Sequence, residues 1–263
     1  MKPVARLPQG ACRDLVGVLC DIDDTLTWEG KLVPAAFHAL WELQAAGLKV
    51  VPVTGRPAGW VDHIARMWPV DGVVGENGGL WFYLDGQRMV RRFAQGEDER
   101  RRNKERLAEL ALLMPVHVPG AGIASDQPYR ELDLAVDFCE DVPRLGPEAI
   151  AAIEREFRAV GATSKVSSIH VNGWYGQFDK LAGCRALLAE RWGVDLDAER
   201  ERWLYVGDSP NDEPMFAFFP HAVGVANVRD FVDRMRSLPA YVTDGVGGHG
   251  FAEVAARILA ARG

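Results

Sequence analysis

The sequence has few cysteines and no long apolar run, and each shortage excludes a class of protein. The four cysteines, Cys12, Cys20, Cys139 and Cys184, include no C-x-x-C pair, and a chain of 263 residues needs no disulfide staples. No apolar run approaches the roughly 20 residues of a membrane span. The first fourteen residues lack the apolar segment of a signal peptide. We therefore expect reduced thiols, a cytoplasmic location and no membrane partner.

An excess of positive charge is also missing. The formal net charge is -7, so the chain lacks the basic face by which nucleic acids and anionic membranes are bound. We expect no nucleic-acid partner, although local charge can still favour an anionic small molecule. The hydrophobic share of 48% and the charged share of 25% are ordinary for a globular protein of one large or two modest domains.

Both ends of the chain alternate apolar runs with helical patterns. Leu15–Cys20 and Leu48–Gly55 are predicted strands, and Pro34–Gly47 and Gly59–Trp68 are predicted helices. Strands that alternate with helices are typical of an α/β fold with a parallel sheet.

The middle of the chain has a different character. After residue 84 the sequence is strongly charged and then helical, and it continues with a predicted strand, helix and strand at Glu131–Glu140, Gly146–Gly161 and Thr163–Gly176. The α/β alternation resumes at Lys180. We therefore predict a core of residues 1–84 and 179–263, and an inserted α+β unit of residues 85–178.

Carboxylates follow two of the predicted core strands. Asp21 and Asp23 end the strand in "VLCDIDDTLTWEG", and Asp208 and Asp212 end the one in "LYVGDSPND". Ligands of open α/β sheets bind beyond the carboxyl ends of the strands. Converging carboxylates would repel each other without a cation, and an oxygen-only set with no His or Cys nearby favours Mg²⁺ over zinc.

Three further groups fit a phosphate. The stretch "VTGR" ends a strand with the hydroxyl of Thr54 and the backbone of Gly55, and Lys180 begins a helix. A cation, an ammonium, a hydroxyl and turn amides together suit phosphate oxygens. A carboxylate there can attack phosphorus, and a second one can act as general acid and base. Arg56 is predicted to bind substrate, with a structural ion pair as the open alternative.

Four segments in this order resemble the motifs of the haloacid dehalogenase-like superfamily. They are "DIDDT", "VTGR", the Lys180 of "FDKLAG", and "GDSPND". The resemblance implies that Asp21 is the nucleophile and that Asp23 is the general acid and base, with a backbone carbonyl on the metal. It implies that Asp208 is a side-chain Mg²⁺ ligand and that Asp212 completes the metal set by supporting Asp208 or a metal-bound water.

The same resemblance assigns the phosphate-binding residues. Thr54 and Lys180 would hold the transferring phosphoryl group, and Lys180 would also neutralise Asp21. Gly55 and Asn211 would contact the substrate from the second and fourth motifs, and Ser209 would support them.

The place of the insert resembles the type II caps of the superfamily. "GENGG", residues 75–79, is similar to a motif of the IIB, or Cof-type, branch, which includes sugar phosphatases. The implied fold is a Rossmann-like, doubly wound parallel sheet with an inserted α+β cap of type IIB. Glu76 and Asn77 would then lie near the mouth of the site, with Asn77 as a substrate ligand.

The cap stretch "SSIHVNGWYG" mixes donors with aromatic rings. His170 and Asn172 could bind sugar hydroxyls, and Trp174 and Tyr175 could face the apolar side of a sugar. The alternative is that His170 is an ordinary strand residue and that Trp174 packs in the cap core.

These features predict a Mg²⁺-dependent phosphatase that hydrolyses a small phosphorylated metabolite, a phosphosugar, through an aspartyl phosphate. One alternative is a phosphomutase of the phosphomannomutase type. The other is a non-catalytic sensor of a phosphorylated ligand. We expect a monomer or a homodimer.

Overall fold

The structure is a computed structural model that describes residues 1–263. The helices are α1 (Gln9–Asp14), α2 (Pro34–Ala45), α3 (Ala58–Met67), α4 (Glu97–His117), α5 (Pro147–Ala159), α6 (Lys180–Trp192), α7 (Leu196–Glu199), α8 (Glu213–Phe218) and α9 (Gly247–Leu259). The strands are β1 (Lys2–Pro3), β2 (Gly17–Cys20), β3 (Thr27–Trp28), β4 (Lys31–Leu32), β5 (Lys49–Pro52), β6 (Val73–Gly75), β7 (Leu80–Asp85), β8 (Arg88–Phe93), β9 (Gly122–Ile123), β10 (Asp133–Asp137), β11 (Thr163–Val166), β12 (His170–Trp174), β13 (Trp203–Gly207), β14 (Val223–Gly224) and β15 (Tyr241–Val242).

A six-stranded parallel sheet forms the centre of the molecule and confirms the predicted α/β class. Its order is β1-β15-β14-β13-β2-β5, and every neighbouring pair is parallel. Strand β2 is wholly buried and pairs with β13 on one side and β5 on the other. Asp21, Thr54 and Asp208 therefore follow three adjacent strands at one edge of the sheet, which is where a parallel sheet exposes its loops.

A short antiparallel sheet, β6-β7-β8, continues from the central one through a parallel bridge between Val53 and Val74. The sequence predicts a charged and then helical segment after residue 84, but "RMVRRF" forms β8 and pairs with all of β7. Its Phe93 ring packs at 5.6 Å against Phe82, while the arginines point outward. The two-residue turn begins at Gly86 with a φ of 58°. The dipeptide Asp85-Gly86 is typical of a hairpin turn, and the prediction of a charged and then helical segment did not take it into account.

A second hydrophobic core lies in the inserted segment. The four-stranded antiparallel sheet β11-β12-β10-β9 packs against α4 and α5 around 12 buried apolar residues between Leu107 and Tyr175. Alternation along β10 and β12 sends Leu134 and Val171 into this core and places Asp133, His170 and Asn172 on the other face. The domain boundaries at residues 84/85 and 178/179 stay a prediction, although the sheet that adjoins the core extends to Phe93.

The segment Thr163–Gly176 is two strands and not one. Ser167 closes the turn between β11 and β12, because its Oγ accepts hydrogen bonds from the N–H groups of Ile169 at 3.3 Å and His170 at 3.0 Å. The tip of this hairpin, Ser167–Ile169, lies next to the loops that follow β2 and β5. No helix of the structure combines the length and the hydropathy that crossing a bilayer requires.

Candidate active site

Three carboxylates meet at the edge of the central sheet. Side-chain oxygens of Asp21, Asp208 and Asp212 all lie within 4.8 Å of one another, and all three residues are buried. Asp21 follows β2, Asp208 follows β13, and Asp212 ends the short turn after Asp208. The fold therefore brings together carboxylates that are separated by up to 191 positions in the chain.

One ammonium group enters this cluster. Lys180 is the first residue of α6, which Asp179 caps by accepting a hydrogen bond from the Ala182 N–H at 2.8 Å. Its Nζ lies 2.9 Å from Asp21 Oδ1 and 2.6 Å from Asp212 Oδ1, and the side chain is only 2% exposed. Three carboxyl groups and one ammonium group are thus buried together.

The electrostatics of this group favour a further cation. Burial raises the pKa of Asp21 to about 8, although Lys180 opposes the shift. Burial, followed by repulsion from Asp212, also raises the pKa of Asp208. Burial by itself lowers the pKa of Lys180, but attraction to Asp21 and Asp212 outweighs it, so the pKa is raised and the ammonium is retained. A divalent cation with oxygen ligands, such as Mg²⁺, fits this donor set.

A stability measurement tests this charge imbalance. Since the folded-state pKa of Asp21 lies above its ordinary value, the folded state holds the extra proton between about pH 4 and pH 8. We therefore expect the metal-free protein to lose stability as the pH rises through this window. Added Mg²⁺ should raise the melting temperature more at about pH 8 than at about pH 5. An equal Mg²⁺ effect at both pH values, measured by differential scanning fluorimetry, would argue against a cation site at Asp21.

Asp212 is fully hydrogen-bonded by the protein. Its Oδ1 accepts from Lys180 and from the hydroxyl of Tyr205, and its Oδ2 accepts from the N–H groups of Asp208 at 2.9 Å and Ser209 at 3.3 Å. These contacts favour the supporting role expected from the resemblance, because they orient the loop that carries Asp208. Tyr205 lies inside β13 among apolar residues, so the sequence did not indicate that its hydroxyl would contact Asp212.

Asp208 is held by residues from two other loops. Thr25 donates its hydroxyl to Asp208 Oδ1 at 3.3 Å, and the Asn227 amide donates to Oδ2 at 3.2 Å. Asn227 also donates to the Asp24 carbonyl at 3.0 Å and accepts from the Gly247 N–H at 3.0 Å. The sequence reading missed Asn227, although the stretch "AVGVAN" places it just beyond a fourth parallel strand.

The loop after β5 contributes a hydroxyl, and the turn after β6 contributes an amide. Thr54 is buried, and its Oγ accepts the Arg56 N–H at 3.0 Å, so its own proton remains available. The side-chain nitrogen of Asn77 is buried without a hydrogen-bond partner. A Cβ at Gly55 would lie 3.3 Å from that nitrogen, which places the Asn77 amide directly behind the Gly55 backbone.

Arg56 links the core loops to the insert. Its guanidinium makes a bidentate pair with Asp23 at 2.9 to 3.1 Å, and it also contacts Glu140 at 2.8 Å and Asp126 at 3.4 Å. The Asp23 carboxylate is thus directed to Arg56, outside the three-carboxylate group. Burial lowers the pKa of Arg56, but attraction to Asp23 outweighs this and raises it. The structure shows the ion pairs of the structural interpretation of Arg56. Substrate binding by Arg56 stays a prediction, because the guanidinium lies at the mouth of the site.

Glu140 is a site residue that the sequence reading missed. It pairs with Arg56 and lies 2.9 Å from His170 Nε2, and the Asp137 carboxylate caps its N–H at 2.7 Å. The neighbouring His170 ring, followed by the Arg56 guanidinium, lowers the pKa of Glu140 to about 2. No local pattern in the sequence marks Glu140, because it stands in a turn with several other acids.

Replacing Glu140 with glutamine should weaken the attachment of the insert in a pH-dependent manner. The lowered pKa means that Glu140 stabilises the fold above about pH 4.5 and that this contribution disappears as the pH falls towards about 2. We expect E140Q to lower the free energy of unfolding by about 1–2 kcal/mol at about pH 6, with a smaller difference at about pH 3.5. Urea denaturation measures both values.

The matched control is E148Q, since Glu148 is exposed in the first turn of α5. It should change little at either pH. A difference between E140Q and the parent chain that did not shrink at low pH would contradict the ion pairs.

The insert closes over the carboxylates. Ser167, Ser168, Ile169, His170 and Asn172 line one cavity together with five core residues: Asp21, Asp23, Gly55, Arg56 and Asn211. The cavity has a volume of about 10 Å³, which is room for about one water molecule. A substrate can therefore enter only if the insert moves away from the core.

The predicted cap residues divide into two sets. His170 and Asn172 line the cavity, where Asn172 donates to Asp133 at 2.8 Å. Trp174 is outside it and stacks on Phe178 at 5.3 Å within the apolar core of the central sheet, and not within the core of the insert that the alternative interpretation expected. Tyr175 lies under Arg106 in the core of the insert. The aromatic face expected for a sugar is therefore absent from the closed cavity.

A buried network joins the insert to the loop after β5. The Glu76 carboxylate accepts hydrogen bonds from the N–H groups of Ala58, Glu131 and Leu132 at 2.6 to 3.1 Å. Arg130 pairs with Asp126 and Asp133 and donates to the Gly55 carbonyl at 2.8 Å. Glu76 thus lies behind the site, and not near its mouth as the resemblance implied, and it anchors the start of β10.

Comparisons with known proteins agree with this geometry. Residues 18–98 match the haloacid dehalogenase-like hydrolase family. A phosphoglycolate phosphatase of Haloarcula marismortui is 28% identical over 249 residues, which cover 92% of this chain and 97% of the relative. A Thermoplasma acidophilum structure superposes with a TM-score of 0.70 at 20% identity, covering 93% of this chain and 99% of that one. The sucrose-phosphatase of Synechocystis, solved with sucrose and phosphate, gives 0.64 at 15% identity, covering 94% and 98%.

Proposed function

We propose that this chain, which belongs to the haloacid dehalogenase-like hydrolases and is a phosphatase, hydrolyses a small phosphomonoester with the help of Mg²⁺ and through an aspartyl phosphate on Asp21. The observation that carries the proposal is the contact of Lys180 Nζ with Asp21 Oδ1 inside a buried group of three carboxylates. A nucleophilic carboxylate must approach an anionic phosphate, and it can do so only where positive charge is fixed beside it.

Each residue has a defined task in the first half of the reaction. Lys180 and the Thr54 hydroxyl hold phosphoryl oxygens, while an Asp21 oxygen attacks phosphorus in line with the leaving oxygen. Asp23 gives its proton to that oxygen as the ester bond breaks, so the alcohol leaves neutral. Asp21 and Asp208 would hold Mg²⁺, which would supply positive charge against the phosphate oxygens.

The second half regenerates the enzyme. Asp23, now a carboxylate, takes a proton from water, and the hydroxide attacks the phosphorus of the aspartyl phosphate. The bond from phosphorus to Asp21 breaks, and inorganic phosphate and the free carboxylate remain. Closure by the insert keeps other water away from the acyl phosphate.

Asp23 must leave Arg56 before it can act as an acid. In the closed structure the guanidinium donates hydrogen bonds to both carboxyl oxygens of Asp23. We infer that the substrate provides a new partner for Arg56, which is a planar fork suited to a carboxylate or to paired hydroxyls. Asp23 would then be free to turn towards the leaving oxygen, and catalysis would begin only when a substrate with such a group is bound.

Two classes of substrate are candidates. The first candidate is a phosphosugar, because the lining of the cavity is polar. His170, Asn172 and Asn211 offer donors and acceptors, and only one of the ten lining residues is hydrophobic. The second candidate is 2-phosphoglycolate, because the small closed cavity and the planar guanidinium of Arg56 suit a short substrate with a carboxylate. The Haloarcula relative is named a phosphoglycolate phosphatase. A panel of phosphorylated sugars, sugar acids, glycolate and nucleotides, with D21N as the blank, separates them by kcat/KM.

The two alternative functions are tested by the same panel. A phosphomutase would convert a hexose phosphate to its isomer with little free phosphate. A non-catalytic sensor would bind a member of the panel without consuming it.

Metal dependence is tested with a simple substrate. We expect p-nitrophenyl phosphate hydrolysis to fall by at least about 100-fold in EDTA and to return when Mg²⁺ is added in excess, because the phosphate oxygens would otherwise face three buried carboxylates. Zn²⁺ should restore less, because no His or Cys belongs to the group. Full activity in EDTA after exhaustive dialysis would contradict the metal assignment.

A further inference from the structure

A second and larger cavity lies between the insert and the core, outside the carboxylate group. Its volume is about 430 Å³. Phe138, Ile150 and Val166 of the insert and Phe231 of the core give it apolar walls. Ser167 and Ser168 also line the catalytic cavity, so the two cavities share the tip of the β11–β12 hairpin.

The only charged residues that line this cavity are two arginines, in a chain of net charge -7. Arg144 approaches it from the loop before α5, and Arg234 approaches it from the core. Both side chains are exposed, and neither forms an ion pair. None of the 12 lining residues is an aspartate or a glutamate. The first turn of α5, a helix of 13 residues, also opens here and adds the positive end of its dipole.

We propose that this cavity is a second binding site, which takes a small amphiphilic anion: a carboxylate, sulfonate or phosphate group on an apolar body. The anion pairs with Arg144 and Arg234, and the apolar body packs between Phe138 and Phe231. Because the two arginines belong to the insert and to the core, the ligand binds only when these parts are together. It therefore holds the enzyme closed and slows product release.

Binding is tested without any assumption about catalysis. The probe is 8-anilinonaphthalene-1-sulfonate, which has an apolar body and one anionic group, titrated into the full chain while its fluorescence is followed. R144Q and R234Q should each weaken binding by about fivefold, as expected for the loss of one partly exposed charge contact. The control R102Q removes an exposed arginine of α4 that forms no ion pair and should leave the affinity unchanged.

If both arginine variants bound the probe as tightly as the control, the charged site would be refuted and the probe would occupy an apolar surface only. Both arginines are exposed, so misfolding is not expected to obscure the result.

The kinetic consequence rests on the proposed function. During phosphatase turnover the probe should lower kcat, because it holds the product complex closed, and it should not lower KM, because it also holds the free enzyme closed against substrate. Competitive inhibition would overturn the effector role and make the cavity an extension of the substrate site. A chain that binds the probe through Arg144 and Arg234 but hydrolyses no phosphomonoester would keep the second site and refute the phosphatase mechanism.

Discussion

Replacing Asp21 with asparagine is expected to lower kcat by at least about 10⁴-fold and to leave the fold intact. The amide has nearly the same shape as the carboxylate, but it cannot attack phosphorus to form an acyl phosphate. The Lys180 Nζ, now 2.9 Å from an amide oxygen, keeps its partner Asp212 and remains hydrogen-bonded. Initial rates with p-nitrophenyl phosphate and with the best natural substrate measure the effect.

The stability of D21N should change in a direction that a purely structural residue would not produce. Since burial disfavours the Asp21 carboxylate, its removal should maintain or raise the melting temperature of the metal-free protein. The control D14N alters an exposed aspartate at the end of α1 and should keep full activity. A D21N protein with more than a tenth of the parent rate would refute Asp21 as nucleophile.

Replacing Lys180 with methionine is expected to damage both activity and stability. Without the ammonium, Asp21 and Asp212 face each other buried and unpaired, which typically costs about 3–5 kcal/mol. The same change removes the charge that holds the phosphoryl oxygens, so we expect a fall in kcat of about 10³-fold. Chemical denaturation and initial rates measure the two losses separately.

The response of K180M to Mg²⁺ tests whether Lys180 contributes to catalysis as well as to stability. Mg²⁺ should restore part of the lost stability of K180M, because the ion supplies positive charge to the same carboxylates, but it should not restore kcat. K31M alters an exposed lysine of β4 and serves as the matched control. An active K180M protein with normal stability would place Lys180 outside the site.

The sequence predicted the parts of the site that follow strands and begin helices. Asp21, Thr54 and Asp208 were predicted because parallel strands end at one edge of a sheet, and their strands are indeed adjacent. Lys180 was predicted from its place at a helix start after the insert. These positions depend on local pattern and on general topology, both of which can be read from one sequence.

The contacts between the insert and the core could not be predicted in the same way. Glu140 contacts Arg56 over 84 positions, Arg130 contacts Gly55 over 75, and Asn227 contacts Asp208 over 19, and no local spacing encodes those pairs. Trp174 shows the opposite difficulty. It shares a strand face with His170 and Asn172, which suggests an aromatic platform for a sugar, but its contact with Phe178 places it in the apolar core. The "RMVRRF" strand was hidden by its arginines, which project to solvent.

The most direct test of an aspartyl phosphate on Asp21 is chemical trapping. The enzyme is mixed with Mg²⁺ and a good substrate, quenched during turnover and treated with borohydride, which reduces an acyl phosphate to an alcohol. Peptide mass spectrometry should then find homoserine at position 21, and not at Asp23, Asp208 or Asp212, with none formed when substrate is omitted. Homoserine at another aspartate, or unmodified Asp21 in an enzyme quenched while turning over, would contradict the proposed mechanism.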